Sequence, residues 1–506
     1  MPPASIDRLP VELQTSILKF LLCFSHGLPP ETSDTKGDST ICADWDPRSP
    51  SLFPYNVASV CPLWRDILAE IPECWTHVVI DVAKDPLPLL DAVLWSKGLQ
   101  KLEVVVFNSS EDTKAGTTER EVEKRRVGAI SRALEPHLHR CKSVAFDLIW
   151  SSSLPPPTVF FQKEAPILEE LSLNCHIDDI IVEKDSWTTQ VDMTQPPLAA
   201  AFPKLKRLSL TGFWFMYLSL VPDASSWFGQ VQLAASSSLL ISQFQFLETG
   251  HYSLENFVFY LSKLVACDNF KLHDLGLSYT YNDSAQVFHP THEILGSLRF
   301  QLVSDNFLSH FFAIGYKLSD RSLAFESCRI PKFKRCIYAQ DLTLKNIVDD
   351  EKAHSLRHIL EAWVGADLTV DSCPSFNDSL LSWCQFSNDP VIYNYETGNA
   401  PHYGFKTGFP ARSLNYLNIK DCSNFTPMAL YNLIALRTDV ALEEESEEEN
   451  LIVQLSVHGR VPVLSSEDMG WFREHGDYTQ VRWRIENEQG VLGSEFWVSG
   501  WGWSGS

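Results

Sequence analysis

The sequence predicts an α/β protein in which an N-terminal helical module precedes a long body of short strands and helices. Apolar residues recur at helical spacing near the N-terminus, and a leucine-rich strand pattern recurs through the body. The 506 residues are 44% hydrophobic and 12% aromatic, which is enough apolar material to build a large core. We expect a helical module over residues 1–80, a repetitive body over 81–460 and a tryptophan-rich cap over 461–506.

The first helix is predicted from the segment IDRLPVELQTSILKFLL. Asp7 can cap the helix and Pro10 suits its first turn, where a missing N–H costs nothing. The helix should continue to about Leu22. An apolar stripe runs along it, consisting of Leu13, Ile17 and Leu21 at four-residue spacing with Leu18 and Leu22 beside them.

A second helical unit follows a polar interruption over residues 25–51. Its sequence is FPYNVASVCPLWRDILAEIPECW, and its apolar residues share one helical face: Val57, Val60, Cys61, Trp64, Ile67 and Leu68. Pro62 interrupts this pattern, so we expect a helix to begin there or to kink there.

These two units together resemble the F-box, a three-helix motif. The resemblance rests on Leu9-Pro10-x-Glu12, Ile17-Leu18-x-x-Leu21, Val60-Cys61-x-x-Trp64-Arg65 and a closing Trp75. It implies docking on the Skp-type adaptor of cullin-RING ubiquitin ligases. The sequence departs from the family at residues 25–51, where the family usually has a short loop leading into its middle helix. A long polar insertion is tolerable because the entropic cost of loop closure grows only logarithmically with length.

The resemblance also implies a set of adaptor-binding residues. Leu9 and Pro10 would lie at the edge of the contact, and Leu13, Ile17, Leu18 and Trp64 would form its buried anchor. The complete set is Leu9, Pro10, Leu13, Ile17, Leu18, Leu21, Val60, Cys61, Trp64 and Leu68. The alternative is that Leu13, Ile17, Val60 and Trp64 are merely the core of a helical cap.

The body is predicted from a six-residue pattern, L-x-x-L-x-L, which is typical of the strand of a leucine-rich repeat. It occurs at Leu168–Leu173, Leu205–Leu210, Leu272–Leu277 and Leu414–Ile419, with weaker units near Leu342 and Leu368. The spacing is irregular, which favours a degenerate α/β solenoid whose units stack on their neighbours. This arrangement resembles fungal F-box proteins with repeat-like C-terminal regions. The alternative is an unrelated α/β domain with leucine-rich buried strands.

The C-terminal end is predicted to form a short helix and a β-hairpin that cap the solenoid. Five tryptophans lie there, enough to cover the open end of a solenoid: Trp471, Trp483, Trp497, Trp501 and Trp503. The preceding run Glu443–Glu449 is expected to be a solvated loop, with a docking site for a basic partner as the alternative.

Composition excludes several classes of function. The formal charge of −23 opposes binding to nucleic acid and to anionic membranes. The twelve cysteines occur singly, so we expect reduced thiols and no metal site. With no signal-like opening and no apolar run of membrane-spanning length, we expect a soluble protein of the cytoplasm, the nucleus or both.

The partial matches to catalytic motifs in the sequence do not predict an enzyme. Gly500-x-Gly502-x-x-Gly505 matches a dinucleotide fingerprint only by letter, because no helix can follow it. His292-Glu293 begins like a zinc-protease motif, but Gly296 stands where the second histidine should be. We therefore expect no catalytic residues, no metal and no cofactor, and interpret the pairs Asp178-Asp179 and Asp349-Asp350 as surface or capping groups.

The predicted function is a non-catalytic substrate-recognition subunit of an SCF-type cullin-RING ubiquitin ligase. Its partners would be the Skp-type adaptor, the cullin-RING scaffold and an unidentified target protein. The alternatives are a repeat-type interaction scaffold without ligase association and, from another class, a cryptic hydrolase.

Overall fold

The computed structural model describes residues 9–25, 53–87, 90–99, 101–110, 117–180, 198–199, 201–221, 223–248, 252–280, 293–314, 317–318, 322–349, 354–385, 391–395, 402–406, 410–411, 413–443, 451–474, 478–486 and 492–498. Its architecture is mixed α/β with a large, predominantly parallel sheet. The chain divides into two compact units, Met1–Leu239 and Leu240–Ser506. No helix of these described ranges combines the length and apolarity needed to span a membrane.

The first unit begins with helices and continues as alternating strands and helices. Its elements are α1 (Val11–Ser25), α2 (Tyr55–Ala58), α3 (Pro62–Ala69), a 3₁₀ turn (Pro72–Trp75), β1 (His77–Asp81), α4 (Ala92–Trp95), β2 (Leu102–Phe107), α5 (Thr117–Leu134), a 3₁₀ helix (Glu135–Arg140), β3 (Cys141–Trp150), a 3₁₀ turn (Ser151–Ser153), α6 (Thr158–Phe161), β4 (Glu170–Ile177), β5 (Arg207–Thr211), α7 (Gly212–Leu220) and α8 (Ala224–Gln230). Strand β6 (Ser237–Phe246) contains the boundary between the units.

The second unit alternates strands with helices or short connections. Its elements are α9 (Leu254–Lys263), β7 (Cys267–Leu277), β8 (Glu293–Ile294), β9 (Ser297–Gln301), α10 (Asp305–Ala313), β10 (Lys317–Leu318), β11 (Leu323–Glu326), β12 (Ile337–Tyr338), β13 (Asp341–Lys345), α11 (Ser355–Ala362), β14 (Trp363–Val364), β15 (Asp367–Asp371), α12 (Asp378–Gln385), β16 (Val391–Tyr395), β17 (His402–Lys406), β18 (Tyr416–Lys420), α13 (Pro427–Glu443), β19 (Gln454–Gly459), α14 (Ser466–Glu474), β20 (Gln480–Glu486) and β21 (Leu492–Val498).

In the first unit, the parallel strands pair in chain order, β1-β2-β3-β4-β5. Alternate residues of each strand point to one side, so in-register apolar residues stack across the sheet. One such row contains Val78, Val104, Val144, Leu171 and Leu208, and all but Leu208 are buried. These rows form the core that the alternating apolar pattern predicts.

In the second unit, the pairing order is β7-β9-β11-β13-β15-β18-β19-β20, all parallel, with β21 antiparallel to β20. Two buried rows cross it. One contains Phe270, Leu298, Leu323, Leu342, Leu368, Leu417, Leu455 and Val481, and the other contains Leu272, Phe300, Phe325, Leu344, Val370, Ile419, Val457 and Trp483.

The register between β7 and β9 corrects the prediction for the repeat unit Leu272–Leu277. Leu272, Leu275 and Leu277 all lie in β7, but the residues that pair with β9 at its buried positions are Phe270 and Leu272. The left-handed φ of 51° at Asp274 interrupts the regular alternation before Leu275. The leucine pattern therefore identified the strand but placed its repeat unit too late in the sequence.

A left-handed residue recurs just after the strands of the second unit. Ser327, Asn346, Ser372 and Asp421 have φ between 51° and 54°, and each is followed by a buried residue: Cys328, Ile347, Cys373 or Cys422. Neighbouring turns are joined through sulfur, since the Cys373 backbone N–H donates to Cys422 Sγ at 3.4 Å. Cysteine is thus a packing and acceptor residue at these turns.

The C-terminal segment contains the predicted helix, α14, and the antiparallel pair β20–β21. Trp483 is buried and packs 6.0 Å from the rings of Phe425 and Phe472. Trp497 is instead 68% exposed, so the expectation that it helps to cover the core is wrong. Trp501 and Trp503 lie outside the described residues.

Candidate docking surface

Helices α1 and α3 are joined by a buried polar contact. The indole N–H of Trp64 donates to Gln14 Oε1 at 3.1 Å, and Gln14 Nε2 donates to the Leu9 carbonyl oxygen at 2.9 Å. Gln14 is only 3% exposed, so these bonds satisfy an amide that would otherwise be costly to bury. Leu18 and Leu68 are buried within the same module.

Proline defines the start of both helices. The Pro10 carbonyl oxygen accepts from the N–H groups of Leu13 and Gln14 at 3.0 and 3.1 Å, so α1 begins at Val11. Helix α3 begins at Pro62, as the sequence predicts, because proline lacks only an N–H that the first turn does not use. Asp7 and residues 26–52 lie outside the described residues.

Helix α1 has a second apolar face, which is exposed. Leu13, Ile17 and Phe20 follow i, i+4 and i+7, and their exposed fractions are 52%, 38% and 62%. Leu9 precedes them and is also exposed. Of the twenty exposed large apolar side chains in the described residues, seven lie between residues 9 and 63: Leu9, Val11, Leu13, Ile17, Phe20, Val60 and Leu63. We call Leu9, Leu13, Ile17 and Phe20 the docking face.

The structure divides the predicted adaptor-binding residues into three groups. Those exposed are Leu9, Pro10, Leu13, Ile17 and Val60; those half-buried are Leu21, Cys61 and Trp64; those buried are Leu18 and Leu68. The alternative that Leu13, Ile17, Val60 and Trp64 form the core of a helical cap is wrong for Leu13, Ile17 and Val60, which are exposed, whereas Trp64 is half-buried. Leu18 and Leu68 were predicted to bind the adaptor, but this chain already buries both of them.

Three exposed apolar residues of the module were not predicted as site residues: Val11, Phe20 and Leu63. Phe20 could have been found, since it lies three residues after Ile17 and seven after Leu13. The exposure of Val11 and Leu63 depends on how α1 and α3 cross, which residue spacing within one helix does not determine.

A groove of 480 Å³ lies on another side of α1. Val11, Thr15 and Lys19 form one wall, and residues 66, 67 and 70–73 form the other. Asp66, Glu70 and Glu73 make the second wall acidic, although Lys97 Nζ lies 2.9 Å from Glu70 Oε2. The groove is therefore more polar than the docking face.

Ion pairs neutralise much of the open strand face of the second unit. Glu326 pairs with Arg299 and, at 3.0 Å, with Lys345. Lys420 lies 3.3 Å from Asp371. Asp341 and Asp367 instead face each other in register on β13 and β15, and burial and the neighbouring Asp341 carboxyl raise the pKa of Asp367.

The titratable groups of the described residues show no assembled metal site, since no group of three or more His, Cys, Asp or Glu could hold an ion there. Burial raises the pKa of Cys141 and of Cys373 to about 12, so both thiols are protonated at neutral pH and are poor nucleophiles. Asp349 Oδ1 accepts from the Ser355 N–H at 2.7 Å at the start of α11, which is a capping role.

Comparison with models of known protein families finds no match, and comparison with curated proteins finds no relative.

Proposed function

We propose that this protein is a substrate-recognition adaptor subunit of an SCF-type cullin-RING ubiquitin ligase. The docking face is the observation that carries the proposal: α1 buries one apolar face against the module and leaves a second to solvent. Contiguous exposed apolar surface of this kind is typical of a protein–protein contact. The F-box resemblance of residues 9–75 identifies the Skp-type adaptor as the partner that would cover it.

The free energy of burying the apolar side chains of the docking face supports a specific contact. Full burial of one leucine, isoleucine or phenylalanine contributes about 1.5–3 kcal/mol. Because Leu13, Ile17 and Phe20 are 52%, 38% and 62% exposed, covering what remains would contribute roughly half of that for each. Phe20 is the most exposed of them, and aromatic anchors often dominate interfaces. The contact requires no rearrangement of Leu18 or Leu68, which are already buried within the module.

The body would supply target recognition. Its parallel strands leave every second side chain on an open face, where charged residues are already paired across strands. Such a face can distinguish partners by charge arrangement as well as by shape. The ligase chemistry would be performed by other subunits, and this chain would contribute proximity between them and the target.

Affinity purification of the full-length chain tests the proposal. Leu13→Glu with Ile17→Glu places two charges on the docking face; Leu442→Glu is the matched control, because Leu442 is a helical leucine of similar exposure, 55%. The adaptor and cullin should be recovered with the wild type and the control, and lost with the double variant.

The alternatives give different results. A scaffold without ligase association would recover neither adaptor nor cullin with any of the three proteins. A cryptic hydrolase would show an activity against broad hydrolase substrates that one point substitution removes and that is indifferent to Leu13 and Ile17.

A further inference from the structure

Among the strands that the structure describes in the first unit, β1 ends the pairing order of the sheet and pairs with β2. On the side of β2, the Thr76 carbonyl oxygen accepts from the Glu103 N–H at 2.8 Å. Because successive residues of a parallel strand direct their polar groups to opposite sides, those of His77 and Val79 face away from β2. An edge with free N–H and C=O groups is a template for pairing with another chain.

The hydroxyl of Tyr55 lies on this edge. It donates to the His77 carbonyl oxygen at 3.1 Å and accepts from the Val79 N–H at 2.5 Å. One oxygen atom thus makes two of the bonds that an additional strand would make at these residues, those with the His77 C=O and the Val79 N–H. Burial raises the pKa of Tyr55, so the hydroxyl remains a donor throughout the physiological range.

The ring of Tyr55 is held by the helical module. It meets Trp75 edge-on with centroids 5.7 Å apart, and Trp75 is completely buried. The Trp75 indole N–H donates to the Leu68 carbonyl oxygen at 2.8 Å, near the end of α3. Trp75 also packs 4.6 Å from Trp95 on α4. Tyr55 therefore connects α3, through Trp75, to the backbone of β1.

We infer that Tyr55 is a positioning residue: its hydroxyl closes the edge of β1 in place of another strand and fixes the helical module on the first unit's sheet. The same contact sets the orientation of the docking face relative to that sheet. Its consequence for adaptor binding rests on the proposed function. The edge closure itself is independent of any partner.

Single-residue hydrogen exchange of the full-length chain tests this inference. In Tyr55→Phe the ring remains while both hydrogen bonds are lost, so exchange of the Val79 amide should accelerate about tenfold or more. Tyr416→Phe is the control, since Tyr416 is exposed on β18, and should leave that amide unchanged. Unchanged exchange at the β3 and β4 amides, which belong to the same unit as Tyr55, shows that the first unit of Tyr55→Phe is folded. Val79 exchange at the wild-type rate in such a folded Tyr55→Phe protein would overturn the inference.

Adaptor binding by the same variants separates the two proposals. Tyr55→Phe retains the docking face and should bind the purified Skp-type adaptor as the wild type does, with faster Val79 exchange in the complex too. Failure of the wild type to bind would refute the proposed function and leave the edge closure standing. Normal binding with unchanged Val79 exchange would refute the edge closure alone.

Discussion

The Trp64 indole N–H donates to Gln14 Oε1 across 3.1 Å, joining residues that are fifty positions apart in the sequence. The bond connects the helices on either side of the long polar stretch of residues 25–51. The two halves of the module therefore pack together across this stretch, as the weak length dependence of loop closure allows. Their contact presents α1 with its docking face outward.

Gln14→Leu should loosen this contact. It removes the acceptor of the Trp64 N–H and the donor to the Leu9 carbonyl, at a cost of about 1–2 kcal/mol. Hydrogen exchange across residues 11–22 should accelerate, whereas Thr15→Ala, on a less buried side of the helix, should have little effect. Equal protection in Gln14→Leu and wild type would show that the bond contributes no stability.

Glu103 should stabilise the first unit in a pH-dependent manner. Hydrogen bonds from His77 and Lys142, each 2.7 Å, lower the pKa of Glu103 to about 2 from its ordinary 4.5. A depressed folded-state pKa contributes stability that is complete above the unfolded value and is lost as pH falls towards 2.

Glu103→Gln should therefore cost about 1–2 kcal/mol at pH 7, after allowance for solvent screening. Its deficit in thermal midpoint relative to wild type should shrink between pH 5 and pH 3. Glu121→Gln, at an exposed position of α5, provides the control. A deficit independent of pH would indicate a packing effect instead.

The contribution of Asp367 to stability should change with pH in the opposite direction. Burial and the facing Asp341 raise its pKa, so the folded state favours the protonated carboxyl, and ionisation as pH rises through the raised value removes stability. Asp367→Asn should therefore raise the thermal midpoint at pH 7, with a gain that vanishes near pH 3.

The matched control is Asp274→Asn, which makes the same charge change at an exposed left-handed position that asparagine tolerates. It should not reproduce the gain. A midpoint lowered by Asp367→Asn at pH 7 would contradict the assignment of repulsion between Asp341 and Asp367.

Gly365 should tolerate no side chain. A Cβ atom there would lie 1.9 Å from the Ala339 carbonyl oxygen and 2.7 Å from the Trp363 ring, whose N–H already donates to that oxygen at 2.8 Å. Gly365→Ala should destabilise the second unit by about 3 kcal/mol or more. Gly128→Ala in α5, where nothing lies within 4 Å, should instead be neutral or slightly stabilising in thermal unfolding. Equal midpoints for the two variants would contradict the close approach.

Sequence patterns predicted the helices of the module because their apolar spacing and prolines act locally. Helix α1 was placed nearly correctly, and α3 begins at the expected Pro62. The pattern also identified β4, β5 and β18, where Leu171, Leu210 and Ile419 are buried as expected. At these positions, local residue spacing was sufficient to predict the helix or strand.

The strands that were missed show why a leucine pattern is insufficient. Leu298-x-Phe300 in β9 and Leu323-x-Phe325 in β11 present phenylalanine at the inner position. Packing requires a bulky apolar side chain there, not a particular one. The wide gaps between predicted units therefore contained further strands. Which apolar face of α1 meets α3 is likewise a tertiary property, so the exposure of Leu13 and burial of Leu18 required the structure.

Docking of the adaptor on α1 is tested by the dissociation constant of the purified full-length chain for a purified Skp-type adaptor, measured by calorimetry. We predict micromolar or tighter binding by the wild type and by Leu442→Glu. Leu13→Glu with Ile17→Glu should weaken binding at least about 100-fold, equivalent to about 2.7 kcal/mol, with an unchanged thermal midpoint. Equal affinity in wild type and double variant, or no binding by the wild type, would contradict adaptor docking through the docking face.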